Sequence, residues 1–60
     1  MSSPRPYYIL LERSPDGRWS PQFGDYIRSV VDEEKSEYTR SALLLPRPRP
    51  TYQVLRVHSD

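Results

Sequence analysis

Cysteine is absent from this 60-residue chain, and histidine occurs only once. Without cysteine the chain has no disulfide, no thiolate metal ligand and no cysteine nucleophile. The single imidazole, His58, is a poor basis for a zinc site, which needs several protein ligands. No hydrophobic run approaches the roughly 20 residues that span a bilayer. We therefore expect no metal, no cofactor and no membrane association.

A strong charge of one sign is also lacking, because nine basic and eight acidic residues give a net charge of +1. Such a chain has no whole-molecule field that would steer it to nucleic acid or to an anionic membrane. Residues 1–6 do not resemble the start of a secretory signal peptide, since only a short apolar run follows them. We predict a soluble, cytoplasmic protein. Its length predicts one domain with a small core.

A β-hairpin is predicted for the first third of the chain. Pro15 presets the backbone of a turn, Asp16 suits the next position, and Gly17 can adopt a positive φ. β-prone runs lie on both sides, at about residues 7–13 and 18–23. The turn therefore predicts that these two segments pair as antiparallel strands.

The two predicted strands differ in their composition. The first, YYILLER, is apolar at both alternating sets of positions, which is typical of a central strand covered on each face. The second contains Pro21, which cannot donate a ladder hydrogen bond and therefore predicts an edge strand. Alternation places Trp19, Pro21 and Phe23 on one face, and we expect both aromatic rings to lie in the core.

A helix is predicted for about residues 26–42, with Asp25 as its N-terminal cap. Apolar residues recur at helical spacing, and the positions between them are polar. The residues of this predicted core stripe are Ile27, Val30, Val31, Tyr38 and Ala42. The opposite surface is acidic.

The last third of the chain predicts a connector and a third strand. We expect Leu43, Leu44 and Leu45 to complete the helix and to pack under the sheet. The alternating prolines of residues 46–50 predict an extended connector, and a ligand for a polyproline-binding groove is the other interpretation. Residues 52–57 are β-prone, and we expect them to run parallel to the first strand through a right-handed crossover.

These elements predict an α+β fold: a ββαβ domain over residues 7–58, preceded by a flexible leader over residues 1–6. The three-stranded sheet is expected to have the order 2-1-3, with the helix packed on one face. The oligomeric state stays open, because either edge of the sheet offers backbone groups to a second copy. A dimer is one of the possibilities.

The block Gly17–Tyr26, with the pattern G-R-W-x-P-x-F-G-D-Y, resembles short uncharacterised proteins from phage and prophage genomes. The resemblance covers roughly residues 7–40 and 51–58, and residues 43–50 depart from it. It implies a ββαβ miniature domain of phage or bacterial origin, acting in the host cytoplasm if phage-encoded. That group has no established activity, so the resemblance implies no site residues.

The expected function is binding without catalysis. A chain of this size has little volume for a water-excluding pocket, and adjacent acids on a helix diverge in direction. We therefore predict no catalytic residues and a protein partner, contacted as a modulator or accessory factor. A nucleic-acid-binding module with an Arg/Tyr-rich sheet face is the alternative. The candidate contact residues are Tyr8, Arg13, Arg18, Tyr52 and Arg56.

Overall fold

The computed structural model describes residues 5–59, which form one three-stranded antiparallel sheet and one helix. The strand order is β2-β1-β3, which confirms the predicted α+β fold and the order 2-1-3. In chain order the elements are β1 (Arg5–Arg13), β2 (Trp19–Asp25), α1 (Arg28–Ala42) and β3 (Thr51–Ser59).

β1 is longer than the sequence indicates, because β3 pairs with it over its whole length. Arg5 and Pro6, which we assigned to the leader, pair with Ser59 and His58. Residues 1–4 of that predicted leader lie outside the described residues. A long partner strand thus fixes residues whose own composition does not favour a strand.

The predicted turn is confirmed between β1 and β2. The Gly17 amide donates to the carbonyl of Ser14 at 2.8 Å, and Gly17 has a φ of +91°. The Asp16 carboxylate accepts hydrogen bonds from the Ser14 hydroxyl and from the Arg18 amide. These bonds, that of Ser14 foremost, hold the pKa of Asp16 below its usual value. The turn is therefore closed by both backbone and side-chain hydrogen bonds.

β3 runs antiparallel to β1, so the predicted parallel pairing is wrong. The helix follows β2, and the crossover therefore links β2 to β3 rather than β1 to β3. Both outer strands are antiparallel to β1, which means that they run in the same direction as each other. The parallel strands joined by the crossover are thus β2 and β3, with β1 between them.

A β-bulge interrupts the pairing of β1 with β2. Leu10 lies opposite Phe23 and Leu11 lies opposite Pro21, which leaves Gln22 without a partner on β1. One extra residue in a strand changes the face on which the following side chains lie. Because directly opposed residues share a face, Phe23 lies on the face of Leu10 and Pro21 on the face of Leu11.

The bulge also overturns part of the predicted core. Simple alternation predicts that Trp19 and Pro21 share a face with Phe23. In the structure they lie on the opposite face. Phe23 is half-buried, whereas the Trp19 side chain is 48% exposed, so its assignment to the core is wrong. Composition alone gives no sign of the extra residue in β2.

The core lies between α1 and one face of the sheet. Leu10 of β1 and Val31 of α1 are fully buried, and Ala42 is nearly so. Tyr38 of the helix contacts Tyr52 of β3 edge-to-face, with ring centroids 5.5 Å apart. The helix thus covers the sheet face that contains Leu10, which we call the helix face.

The start of the helix differs from its predicted form. The N-terminal cap is Ile27, whose side chain is 56% exposed, and not Asp25. The Asp25 carboxylate instead accepts a hydrogen bond from the Ile27 amide at 2.9 Å. Asp25 lies two positions before the cap, and its hydrogen bond therefore shapes the entry to the helix without capping it.

The prediction that the three leucines after α1 pack under the sheet is wrong. Leu43, Leu44 and Leu45 are 60%, 88% and 48% exposed. Their amides continue the hydrogen bonding of the helix end, donating to carbonyls of its last turn. Successive residues on a helix are turned by about 100° from each other, so three adjacent side chains cannot all face one sheet.

Candidate functional site

The sheet face opposite the helix face carries the most distinctive surface of this protein. Its members follow from the strand pairing, because directly opposed residues have side chains on the same face. We call this surface the open face. It comprises Arg5, Tyr7, Ile9, Leu11 and Arg13 of β1, Trp19, Pro21 and Gly24 of β2, and Thr51, Gln53, Leu55 and Val57 of β3.

The centre of the open face is aliphatic. Ile9, Leu11 and Val57 are half-buried, and Leu55 is 43% exposed. The single helix of residues 5–59 packs on the other side of the sheet, where Tyr38 contacts Tyr52. Contiguous exposed apolar surface of this kind marks sites of interaction.

One end of the open face is occupied by an aromatic pair and an arginine. Tyr26, which follows β2, contacts Tyr7 edge-to-face with ring centroids 4.8 Å apart. The guanidinium carbon of Arg5 lies 4.8 Å from the Tyr26 ring centroid, within cation–π range. Tyr26 is 46% exposed, so this group extends the open face beyond the strands.

Gly24 makes room for that aromatic pair. A Cβ atom at Gly24 would lie 2.7 and 2.8 Å from two ring carbons of Tyr7. Non-bonded carbon atoms are optimally 3.5–4.0 Å apart, so any side chain at this position would displace the Tyr7 ring. The glycine of the Phe23-Gly24-Asp25 sequence therefore positions Tyr7.

The opposite end of the open face has a similar arrangement. The guanidinium carbon of Arg13 lies 5.6 Å from the centroid of the Trp19 ring. These two residues are direct partners across the hairpin. In the confirmed turn the Ser14 amide donates to the carbonyl of Arg18. The next pair of residues outward from the turn is therefore Arg13 and Trp19. The open face thus has an arginine stacked on an aromatic ring at each end.

The charged residues in the described part of the open face are both positive. Arg5 and Arg13 are its charged residues, and the described part of this face includes no carboxylate. Within residues 5–59, the aspartates and glutamates lie in the turn, on the helix face and along α1. Within residues 5–59, positive and negative charges are therefore unevenly distributed between the two faces of the sheet.

The candidate residues chosen from the sequence do not form one cluster. Tyr8, Tyr52 and Arg56 belong to the helix face, where Tyr8 lies directly opposite Arg56. Arg13 lies on the open face, and Arg18 is in the turn, with its Nε 3.5 Å from the Asp16 carboxylate. The Arg/Tyr-rich sheet face expected from the sequence is therefore divided between two sides of the sheet.

Tyr52 has a structural environment of its own. Its hydroxyl donates to Glu12 Oε2 at 2.9 Å, and these two residues are direct partners on β1 and β3. Burial, followed by the hydrogen bond to Glu12, raises the pKa of Tyr52 to about 12. The phenol therefore stays protonated and holds its hydrogen bond at neutral pH.

An open groove of about 320 Å³ adjoins this tyrosine. It contains no pair of groups arranged as nucleophile and base or as acid and base. We interpret it as the margin of the core. Its lining residues are Glu37, Tyr38, Ser41, Ala42, Leu45 and Tyr52.

Sequence reasoning missed Tyr7, Trp19, Tyr26 and Leu55 as members of one surface. The sequence does indicate one part of this surface, because the predicted turn fixes the pairing of Trp19 with Arg13. The position of Leu55 depends on the direction and register of β3, which the sequence does not reveal.

Residues 5–59 contain no group of three or more His, Cys, Asp or Glu side chains placed to hold a metal ion. Within the same residues, no helix has the length and apolar character needed to cross a membrane. No protein-family model, curated protein or solved structure matches this chain.

Proposed function

We propose that this protein is a non-enzymatic binding protein that contacts another protein through its open face. One observation carries the proposal: an uncovered aliphatic centre lies between two arginine–aromatic pairs, Arg5 with Tyr26 and Arg13 with Trp19. Protein interfaces combine these features, with an apolar centre, aromatic and arginine anchors and a polar rim.

The shape of the open face indicates the chemistry of the partner. Arg5 and Arg13 are eight residues apart on β1, which corresponds to about 27 Å along the strand. That span suits a contact area of roughly 800 Å² on each partner. The complementary surface has an apolar centre and, opposite Arg13, a carboxylate at its rim.

A nucleic-acid-binding module is the second candidate, and the same surface favours it in one respect. The open face and the adjoining Tyr26 combine three aromatic residues with two arginines, and the described residues of this face include no carboxylate. However, Arg5 and Arg13 already lie over the rings of Tyr26 and Trp19, where a base would stack. The aliphatic centre offers no stacking surface, so the protein partner is preferred.

The resemblance to short phage and prophage proteins extends the proposal. The block that carries it, Gly17–Tyr26, supplies Trp19, Pro21, Gly24 and Tyr26 of the open face. We propose that the protein is a small modulator or accessory factor of that kind, acting in the cytoplasm of the host.

The test is a binding experiment with a double variant of the two exposed rings. Immobilised protein is exposed to host lysate, and the parent is compared with Trp19→Ala combined with Tyr26→Ala. Both rings are about half exposed, so their loss should leave the fold intact and weaken a genuine contact at least about tenfold. Leu44→Ala is the control, because Leu44 is 88% exposed and lies outside the open face.

A protein retained by the parent and by the control, but not by the double variant, supports the proposal. Retention by all three variants alike, or no selective retention, contradicts it. Binding to single-stranded DNA or RNA that weakens steeply with added salt would instead favour the second candidate, since phosphate contacts release counterions.

A further inference from the structure

The two edges of the sheet differ in their protection. The outer edge of β2 contains Pro21, which lacks an amide donor, and the bulge at Gln22. Both features are known to prevent an edge strand from pairing with another chain. β3 has neither, since its nine residues pair with β1 in an uninterrupted register and include no proline or glycine.

β3 is therefore a long, regular edge strand without the usual protection. No strand of residues 5–59 lies beyond it. Arg56 is its single residue with a permanent charge, and its open-face residue Leu55 is 43% exposed. A strand of this kind is a template for pairing with a further strand.

We infer that the outer edge of β3 pairs antiparallel with β3 of a second copy of this chain, about a two-fold axis at Leu55. The product is a six-stranded antiparallel sheet with the strand order 2-1-3-3-1-2. An interface of this type is self-complementary, because each copy contributes the same strand.

The residues of β3 determine this register. Centring the axis on Leu55 allows all nine residues to pair, from Thr51 opposite Ser59 to Val54 opposite Arg56. Centring it on Arg56 would place two guanidinium groups directly opposite each other, which is destabilising. In the Leu55 register, by contrast, no two like charges face each other.

The inferred dimer also joins the two open faces. A two-fold axis perpendicular to the sheet keeps both helices on one side and both open faces on the other. The two Leu55 side chains then connect the aliphatic centres, each of which includes Val57. The inference does not depend on the proposed function, but it doubles the apolar surface available to a partner.

The first test measures the molecular mass by sedimentation equilibrium. The chain has a mass of 7.1 kDa, and the parent should sediment with twice that mass. Leu55→Lys should raise the dissociation constant of the dimer about tenfold or more, because two like charges replace an apolar pair at the axis. Gln53→Lys is the matched control, since it adds the same charge to the same face away from the axis.

A charge exchange distinguishes a specific pairing from a general loss of solubility or folding. Leu55→Lys and Leu55→Glu should each be monomeric, and their mixture should form a heterodimer. Failure of the mixture to associate, while both variants are folded by circular dichroism, would overturn the inference. So would a parent that stays monomeric at millimolar concentration.

The second test uses the absence of cysteine from the chain. Leu55→Cys should form an intermolecular disulfide, because directly opposed Cα atoms of antiparallel strands are about 4.5–5.5 Å apart. Gln53→Cys should not, since in the same register the two substituted positions lie about 13 Å apart. Equal cross-linking of both variants would contradict this register.

A dimer formed through the open faces is a separate outcome. It would be dissociated by Trp19→Ala combined with Tyr26→Ala, and those two residues are remote from the edge of β3. The edge-paired dimer should keep its mass in that double variant. Loss of the dimer there, with no selective cross-linking at position 55, would overturn the inference.

Discussion

The two faces of β1 show how a short chain divides its residues between folding and binding. Leu10 points to the helix face and is fully buried, whereas its neighbours Ile9 and Leu11 point to the open face and remain partly accessible. A sheet has two faces, and residues 5–59 supply one helix to cover them. The apolar residues on the second face therefore contribute less to stability and are available for contact.

The polar groups of the two faces differ in the same way. On the helix face, Glu12 accepts a hydrogen bond from Tyr52 and the pair closes one side of the core. On the open face, the guanidinium groups of Arg5 and Arg13 lie over the exposed rings of Tyr26 and Trp19. The first arrangement is a hydrogen bond at the margin of the core, and the second places cationic groups on exposed aromatic rings.

The largest expected effect comes from the same substitution on each face. Leu10→Ala should lower the free energy of unfolding by about 2–5 kcal/mol, because it removes fully buried methyl groups and leaves a cavity. Leu55→Ala should lower it by less than about 1 kcal/mol, since that side chain is 43% exposed. Urea unfolding in dilute solution measures both changes.

A domain of this size has a total stability of only about 3–9 kcal/mol, so Leu10→Ala is expected to be largely unfolded when warmed. Equal losses for Leu10→Ala and Leu55→Ala would show that the two faces are equally covered. That result would contradict both the assignment of the core and the open face.

An intermediate effect is expected at Gly24, which tests whether the open face is ordered. Gly24→Ala should cost about 1–3 kcal/mol, because the added methyl group displaces the ring of Tyr7 from its contact with Tyr26. In a Tyr7→Ala background the same change should cost much less, since the obstructing ring is gone. Chemical denaturation of the four proteins in this cycle measures the coupling.

Independent, additive effects at Gly24 and Tyr7 would show that the ring does not occupy the position described. The open face would then be a loose collection of side chains rather than a preorganised surface. Preorganisation matters here because a surface that is already ordered loses less entropy on binding.

Local sequence signals predicted the features that depend on a few adjacent residues. The turn at Gly17, the central position of β1 and the burial of Val31 and Ala42 were all predicted. Each depends on backbone preference or on a short apolar pattern. Such signals act within one element and therefore need no knowledge of its neighbours.

Features that depend on how elements meet were not predictable in this way. The unpaired residue Gln22 decides the face on which Phe23 lies, and no residue type marks it. The direction of β3 follows from where α1 returns the chain, which periodicity does not encode. Because the open face depends on both, Trp19 and Leu55 could not be assigned to it from the sequence.

The smallest expected effect concerns the polar pair of the helix face. The pKa of Tyr52 is raised to about 12, above the value of about 10 for an unfolded tyrosine. A raised pKa means that the neutral phenol is favoured by folding, so its contribution is fully present below about pH 10 and is lost as the pH rises towards 12. The free energy of unfolding, measured in urea, should fall by about 1 kcal/mol over this range. This is less than the full pKa shift implies, because solvent reaches part of the ring.

Tyr52→Phe should remove this fall in stability. Tyr26→Phe, which leaves the Tyr52–Glu12 hydrogen bond intact, should retain it. If the parent and Tyr52→Phe lose stability equally at alkaline pH, the hydrogen bond to Glu12 does not hold this edge of the core.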